Sequence, residues 1–473
     1  MGAAARVAAM SVERLVAWLR SEGADVDPGL RAVERAGRGM CLVLEPAGAV
    51  GGAVGGGPRD EAVAVLGIPR RCILTPQVAL EDATLGPALR HVTREPGPRG
   101  EPPLALPWAP IVWLARARFA SAEAPGSALA PWVEALPPAF AEFPLYWDAD
   151  EAACLAGTPL LDALRVLATS LADALVRVRE ALAERGGGGE AGRAAWLSEG
   201  NLKWATCCFW SRVLGLPADA FDASRGGGSE GEGDVVLAMV PLLDFANHSG
   251  RGGTATWSVE RVADGGEPMA VLWARRAATT SEGVELTFSY GEEKVNDVLL
   301  LSYGFLDEEG AGLLDSPPGE ASAPGPSDAV YLPLDALDTV LAQEDPALAR
   351  AKVATIRRLT NCLRLYPLHP PTSAALVTAV LTPEALAAPE AAVRPDPMTR
   401  KRAESVERWL LEGVLENLGS AAIEFEPSAW PQLPRNVRAA IRYKAGVMAA
   451  AKAALAALAA RAHVASAADA GAP

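Results

Sequence analysis

Cysteine and histidine are scarce and scattered in this sequence. The six cysteines, Cys41, Cys72, Cys154, Cys207, Cys208 and Cys362, contain no C-x-x-C spacing, and the four histidines, His91, His248, His369 and His463, form no ligand triad. No metal site is expected, and zinc in particular is not indicated. In a chain of 473 residues such cysteines point to reduced thiols, mostly buried, in an intracellular compartment. Cytoplasm or nucleus is the expectation, with the chloroplast an open alternative. Positive charge is also short: 43 Lys and Arg against 58 Asp and Glu leave a net charge of −15. Phosphate backbones need clustered cations, so nucleic acid is not an expected partner, whereas a basic protein surface suits this charge. No run of about eighteen apolar residues occurs, so no membrane-crossing helix and no membrane partner is expected. The alanine-rich start, Met1–Met10, lacks the long h-region of a secretory signal. There is no G-x-x-x-x-G-K-[ST] phosphate loop, and no internal repeat. The one G-x-S-x-G match, Gly227–Gly231, lies in a glycine-rich stretch and not between a strand and a helix, which argues against a hydrolase elbow.

What is present is apolar: 50 % of the residues are hydrophobic, enough for a sizeable core and two to three domains. Val12, Leu15, Val16 and Leu19 share one face of a helix over Ser11–Arg20. Short apolar runs punctuated by glycine, Gly39–Leu44 and Ala62–Ile68, read as strands, and Gly51–Gly57 as a loop. Spacing of i, i+3, i+4 predicts helices over Trp108–Phe119, Pro131–Leu136, Leu160–Arg185 and Asn201–Leu214, with a break at Gly186–Gly189. Ala223–Gly233 reads as a low-complexity linker. Thr254–Val259, Met269–Ala274 and Val284–Tyr290 read as strands, Asp307–Ser327 as an interdomain linker, and Arg402–Leu418 and Arg435–Val464 as helices. The pattern is α+β: a β-rich module with a helical insert, then an all-helical C-terminal lobe.

Two segments carry candidate chemistry. In Val240–Ser249 the polar Asp244, Asn247, His248 and Ser249 follow an apolar run, where a strand end can present them to a pocket. Of six tyrosines, Tyr290 and Tyr303 sit in near-identical Ser-Tyr-Gly contexts. By local pattern alone, tyrosines that close a core with hydrogen-bonded hydroxyls are the favoured reading of the second segment.

Taken together, these motifs resemble the SET-domain methyltransferases of the Rubisco large-subunit methyltransferase type. The resemblance rests on seven elements in order over residues 36–305. They are Ala36–Met40, Pro131–Pro137, Trp147 with Leu155–Gly157, Leu202–Ala205, Trp210–Pro217, Asp244–Ser249, and Ser289–Gly291 with Asn296–Phe305. It implies a SET domain with its N-terminal part at 1–110, a helical insert at 111–222, a linker at 223–234 and its C-terminal part at 235–307. A second linker at 308–328 and a substrate-binding lobe at 329–473 follow, the lobe matching only in position and composition.

The implied activity is transfer of methyl groups from S-adenosylmethionine to a lysine side-chain nitrogen of a protein substrate, by a monomer. On this resemblance Tyr290 is the catalytic tyrosine, and Tyr303, Ser211 and Asp244 contact the target lysine. Ala36, Gly37, Arg38, Arg212, Asn247 and His248 hold the cofactor, with Arg212 on its carboxylate, a task suited to a planar, permanently charged fork. Departures are Trp132 where tyrosine is common, Leu214 where phenylalanine is common, Ala36 where some members carry an acid, and Val295–Val298 in place of Ser-Asn-Ala-Glu. Methylation of histidine, or a silent protein-binding adaptor, are the competing implications. Each of Arg212, His248 and Asp244 also has an ordinary reading: surface arginine, core histidine, turn residue.

Overall fold

The apolar stripe expected over Ser11–Arg20 lies on α1 (Ala3–Ser21), where Val12, Leu15 and Leu19 are buried. The helix begins eight residues before Ser11, because the alanine run ahead of it favours helix as strongly as the stripe does. The computed structural model describes residues 3–35, 38–45, 62–120, 129–185, 194–218, 235–250, 252–261, 267–279, 283–291, 294–307, 313–319, 323–387 and 395–470. Ala36, Gly37, the glycine runs at 51–57 and 186–189, the linker at 223–233 and the G-x-S-x-G match lie outside the described residues. Two compact units divide the chain: Met1–Phe140 with Ala168–Glu293, and Ala141–Leu167 with Lys294–Pro473.

In the first unit, β2 (Leu30–Arg35) and β3 (Gly39–Leu44) form an antiparallel hairpin that runs from Leu30 opposite Leu44 to Arg35 opposite Gly39. Arg38 N–H donates to Arg35 O at 3.1 Å, and Gly39 takes a φ of 67°, a left-handed conformation that glycine adopts without cost. A four-stranded sheet has the order β1-β4-β9-β8, with β1 (Asp25–Val26), β4 (Ala62–Pro69), β8 (Ala255–Glu260) and β9 (Met269–Arg275). Its register sets Ile68 opposite Ala270 and Trp257 opposite Leu272. Helices α2 (Pro76–Glu81), α3 (Gly86–Arg94), α4 (Trp108–Phe119) and α5 (Ala130–Ala135) follow β4. Every residue of α4 from Trp108 to Ala115 is buried, so this helix is core on all sides and packs on α8 (Glu199–Trp210).

The single helix expected over Asn201–Leu214 is not what forms. α8 stops at Trp210, and Val213–Pro217 is strand β5, paired antiparallel with β6 (Val235–Met239). Val213, Gly215 and Pro217 disfavour helix, and the ladder to β6 decides the matter. Ser211 and Arg212 therefore occupy the corner between helix and strand. The strand expected over Val284–Tyr290 serves two sheets. β10 (Val284–Glu285) pairs antiparallel with β3, while β11 (Thr287–Phe288) pairs parallel with β7 (Asn247–His248). The switch falls at Leu286, whose N–H donates to Leu42 O at 2.8 Å.

The second unit holds α6 (Ala149–Ala153), the start of α7 (Pro159–Arg185, with residues from 168 in the first unit), α9 (Asn296–Tyr303) and α10 (Asp338–Leu341). It continues with α11 (Pro346–Leu359), α12 (Pro370–Val380), α13 (Pro383–Leu386), α14 (Pro397–Ser420) and α15 (Arg435–Ala470). The lobe is helical as expected but carries one two-stranded ladder as well, β12 (Val330–Pro333) with β13 (Cys362–Tyr366). Fully buried Lys352 donates to Glu344 at 2.8 Å and to Ala379 O at 3.0 Å, so its charge is paired. One described helix, over Arg435–His463, is long and apolar enough to cross a bilayer by length and composition, against the expectation of none. Alanine supplies much of that hydropathy; Ala450, Ala451, Ala454 and Leu458 of this stretch are buried, and α15 packs on α14.

Candidate active site

The first-unit residues singled out in the sequence collect around the 3-10 turn Leu243–Phe245 and the short parallel pair of β7 and β11. Chain direction enters this turn through Leu242, which has a φ of 66° and is buried. Leu243 N–H donates to Pro241 O at 2.8 Å, so Leu242 is the centre of a γ-turn of the strained hand. A buried leucine held there costs on the order of 1–3 kcal/mol, which the surrounding core must offset. The turn delivers Asp244 to the interior and Asn247 and His248 to β7.

The Asp244 carboxylate has no exposure to solvent. Its Oδ2 accepts a hydrogen bond from Trp132 Nε1 at 3.2 Å, and Arg212 Nη1 lies 3.7 Å away. Arg212 Nη1 makes its shorter bond, 2.7 Å, to the Asp244 backbone carbonyl, and the guanidinium stacks 5.5 Å from the Phe245 ring centre. Burial pushes the Asp244 carboxyl up to about 6, with the Arg212 charge and the Trp132 donor pulling the other way. Asp244 Oδ1 and Arg212 Nε are both buried without a hydrogen-bond partner among the described residues. An orphaned guanidinium N–H beside a committed one is a donor available to an anionic ligand.

Tyr290 is held at both ends. Its N–H donates to His248 Nδ1 at 3.1 Å, and its hydroxyl donates to the Ala246 carbonyl at 3.0 Å. Its ring packs against His248 at 5.1 Å and Phe288 at 5.5 Å between centres. The β7–β11 register, His248 opposite Phe288, is what brings Tyr290 beside His248 across 42 residues of sequence.

Asn247 faces the β2–β3 hairpin. Its Nδ2 donates to Glu285 Oε1 at 3.0 Å, Cys41 Sγ at 3.1 Å and Met40 O at 3.4 Å. Glu285 also receives Arg35 at 3.0 Å and Arg38 at 3.2 Å. It thus ties Arg35 and Arg38 of the hairpin to Asn247 of β7, a role the sequence reading misses; an acid inside the apolar stretch Val284–Phe288 is the signal that would have found it. Trp132 is missed in the same way, since as a substituted tyrosine it reads only as packing. Ser211 Oγ donates back to Cys207 O at 2.7 Å, closing the end of α8. Ala36 and Gly37 lie outside the described residues.

Tyr303 belongs to the second unit, at the end of α9. Lys294 Nζ donates to its hydroxyl at 2.5 Å and stands 4.8 Å from its ring centre. Burial pushes the Tyr303 hydroxyl up to about 12 and the Lys294 amine down.

No disulfide forms; all six thiols are free, and Cys41, Cys72, Cys207 and Cys208 are buried. Among the described residues no group of three or more His, Cys, Asp or Glu could hold a metal ion. An open groove of about 530 Å³ is lined by Pro87, Arg90, His91, Arg94, Glu95 and Arg185, none of them a residue of the candidate site.

No protein-family model and no curated protein matches this chain. Solved structures do. The SET domain of LSMT bound to methyllysine and AdoHcy superposes with a TM-score of 0.59 at 17 % identity, over 95 % of this chain and 91 % of that one. Rubisco LSMT bound to AdoMet gives a TM-score of 0.58 at 16 % identity, over 95 % and 92 %. A third, Rubisco LSMT with sinefungin and monomethyllysine, gives 0.56 at 16 % identity, again over 95 % and 92 %. The chain has the α+β SET fold with a helical C-terminal part.

Proposed function

We propose that this chain is an S-adenosylmethionine-dependent methyltransferase that acts on a lysine side-chain nitrogen of a protein. The observation that carries the reading is Tyr290, fixed at its N–H by His248 and at its hydroxyl by Ala246, in a chain with the fold of LSMT. The solved relatives hold AdoMet, AdoHcy or lysine, and the buried Arg212 Nε, without a partner among the described residues, suits a ligand carboxylate. Arg212, Asn247, His248 and, by the sequence resemblance, Ala36, Gly37 and Arg38 are the residues that would hold the cofactor.

Bound there, the cofactor supplies a methyl group on a sulfonium, ready for in-line displacement. The protein's share is alignment and deprotonation, since an ordinary lysine amine has a pKa of about 10.4 and attacks only when neutral. A narrow aromatic site desolvates the ammonium and disfavours it. Tyr290, with its hydroxyl pinned to a carbonyl, is a fixed ring and oxygen for this task. Tyr303 supports the reading independently: its ring and hydroxyl already take an amine, that of Lys294. Ser211 has its hydroxyl bonded to Cys207, so its contribution beside the target lysine is its backbone. Asp244, buried under Trp132 and Arg212, shapes the same wall. A substrate with a basic surface suits the net charge of −15.

The test is transfer of label from S-adenosylmethionine to a lysine-rich acceptor protein, followed by hydrolysis and amino-acid analysis. Methyllysine in the hydrolysate is the expected result. Methylhistidine alone overturns the lysine assignment, and cofactor binding without any transfer favours an adaptor.

A further inference from the structure

Glu285 sits between the β2–β3 hairpin and β7, and its side chain is only 10 % exposed. Its backbone is fixed twice, by pairing with Val43 of β3 and by Thr254 Oγ1, which donates to its carbonyl at 2.6 Å. The carboxylate meets three donors. Oε2 accepts from Arg35 Nη1 at 3.0 Å, and Oε1 accepts from Asn247 Nδ2 at 3.0 Å, with Arg38 Nη2 at 3.2 Å. Every residue of this cluster lies in the first unit.

The acceptors around Asn247 Nδ2 are unequal. Met40 O, at 3.4 Å, is near the limit of a hydrogen bond. Cys41 Sγ lies at 3.1 Å, but burial pushes that thiol up to about 11, so the sulfur is neutral and a weak acceptor. A thiol can also donate, so Cys41 would tolerate either end of the amide. The carboxylate of Glu285 accepts only, and it makes the one charge-assisted bond to the amide. It is therefore the group that distinguishes the nitrogen of Asn247 from its oxygen. With Nδ2 turned to the hairpin, no donor among the described residues reaches Oδ1. The ion pairs to Arg35 and Arg38 involve exposed arginines, which water screens, and contribute less.

We propose that Glu285 is a positioning residue for the cofactor: its carboxylate sets which end of the Asn247 amide faces the ligand, keeping Oδ1 as the acceptor offered to it. This deepens the methyltransferase reading above and rests on it, since Asn247 holds the cofactor only on that reading. Glu285 acts through Asn247 and has no part in the transfer step.

The experiment titrates S-adenosylmethionine into the full folded chain by calorimetry, in the parent and in variants, with the unfolding temperature of each preparation. Glu285→Met fills the same space without a carboxylate and should weaken binding about tenfold or more, the worth of one charge-assisted hydrogen bond. Glu285→Leu serves in its place if that variant does not fold. Glu285→Gln keeps an oxygen for Asn247 Nδ2 and gives up both ion pairs, so affinity should return to within about threefold of the parent. Arg35→Ala removes one ion pair, leaves the Asn247 bond intact, and should bind as the parent does. Parent-like affinity in the apolar variant, or a loss in Glu285→Gln as large as in that variant, overturns the proposal and leaves the methyltransferase reading standing. Failure of the folded parent to bind S-adenosylmethionine removes both.

Discussion

The backbone N–H of Tyr290 donates to Nδ1 of His248 at 3.1 Å, and this bond fixes which nitrogen of the histidine accepts. With Nδ1 accepting, the neutral ring carries its proton on Nε2. The histidine thereby orients the loop that carries Tyr290, while Ala246, two residues earlier in β7's approach, takes the tyrosine hydroxyl at 3.0 Å. Backbone and side chain of one residue are anchored to a single six-residue turn and strand, Leu243–His248.

Tyr290→Phe removes the hydroxyl but leaves the ring contacts with His248 and Phe288. Stability should fall by only about 0.5–1.5 kcal/mol, the net worth of one hydrogen bond. Methyl transfer should fall by about a hundredfold or more if the hydroxyl acts at the reacting centre. Thermal unfolding and turnover measured on one preparation separate the two, and near-normal turnover would remove the hydroxyl from the chemistry.

Trp132→Phe keeps a large aromatic in a fully buried position but withdraws the Nε1 donor from Asp244 Oδ2. Asp244 Oδ1 already has no partner among the described residues, so a second oxygen loses one of its contacts. A destabilisation of about 1–3 kcal/mol is expected from denaturant unfolding. A neutral outcome would mean that Trp132 is packing alone.

Asp297 on α9 gives a dependence on pH. Burial pushes its carboxyl up to about 7, while the Tyr443 hydroxyl opposes the shift. The folded state then binds a proton more tightly than the unfolded chain. This contribution to stability is full below about pH 4 and is lost as pH rises through about 7. Asp244, pushed up to about 6, acts in the same direction over a narrower range. Asp297→Asn cannot ionise, so it should be more stable than the parent at pH 8, by about 1 kcal/mol or more, with the advantage gone near pH 4. Equal effects of the substitution at both values would contradict the assignment.

Periodicity made the helical insert readable: α4 and α7 lie where the spacing of Trp108–Phe119 and Leu160–Arg185 puts them, and β8 and β9 match their alternating segments. Tyr290, His248, Asp244 and Arg212 could be named because they sit in short motifs. Their partners could not. Trp132 reaches Asp244 across 112 residues, and Asn247 reaches Cys41 across 206, so no local pattern reports either contact. The same limit explains the break after Trp210, where pairing of β5 with β6 overrides an apolar spacing that also suits helix. Leu286 is a further case, since only the fold reveals that one strand-like run divides between β3 and β7.

Arg212 is the residue on which cofactor binding turns, and alanine is the wrong probe for it. Its guanidinium lies 3.7 Å from a carboxylate with no solvent exposure, so Arg212→Ala strands a buried charge and costs about 3–5 kcal/mol of stability whatever the cofactor does. Arg212→Lys keeps the charge near Asp244 and removes the planar fork. The decisive measurement is calorimetric titration of the folded chain with S-adenosylmethionine, in the parent and in Arg212→Lys. Binding close to one per chain is expected, weakened at least tenfold in the variant at similar unfolding temperature, on the order of 1.4 kcal/mol. A folded parent that takes up no S-adenosylmethionine would contradict it.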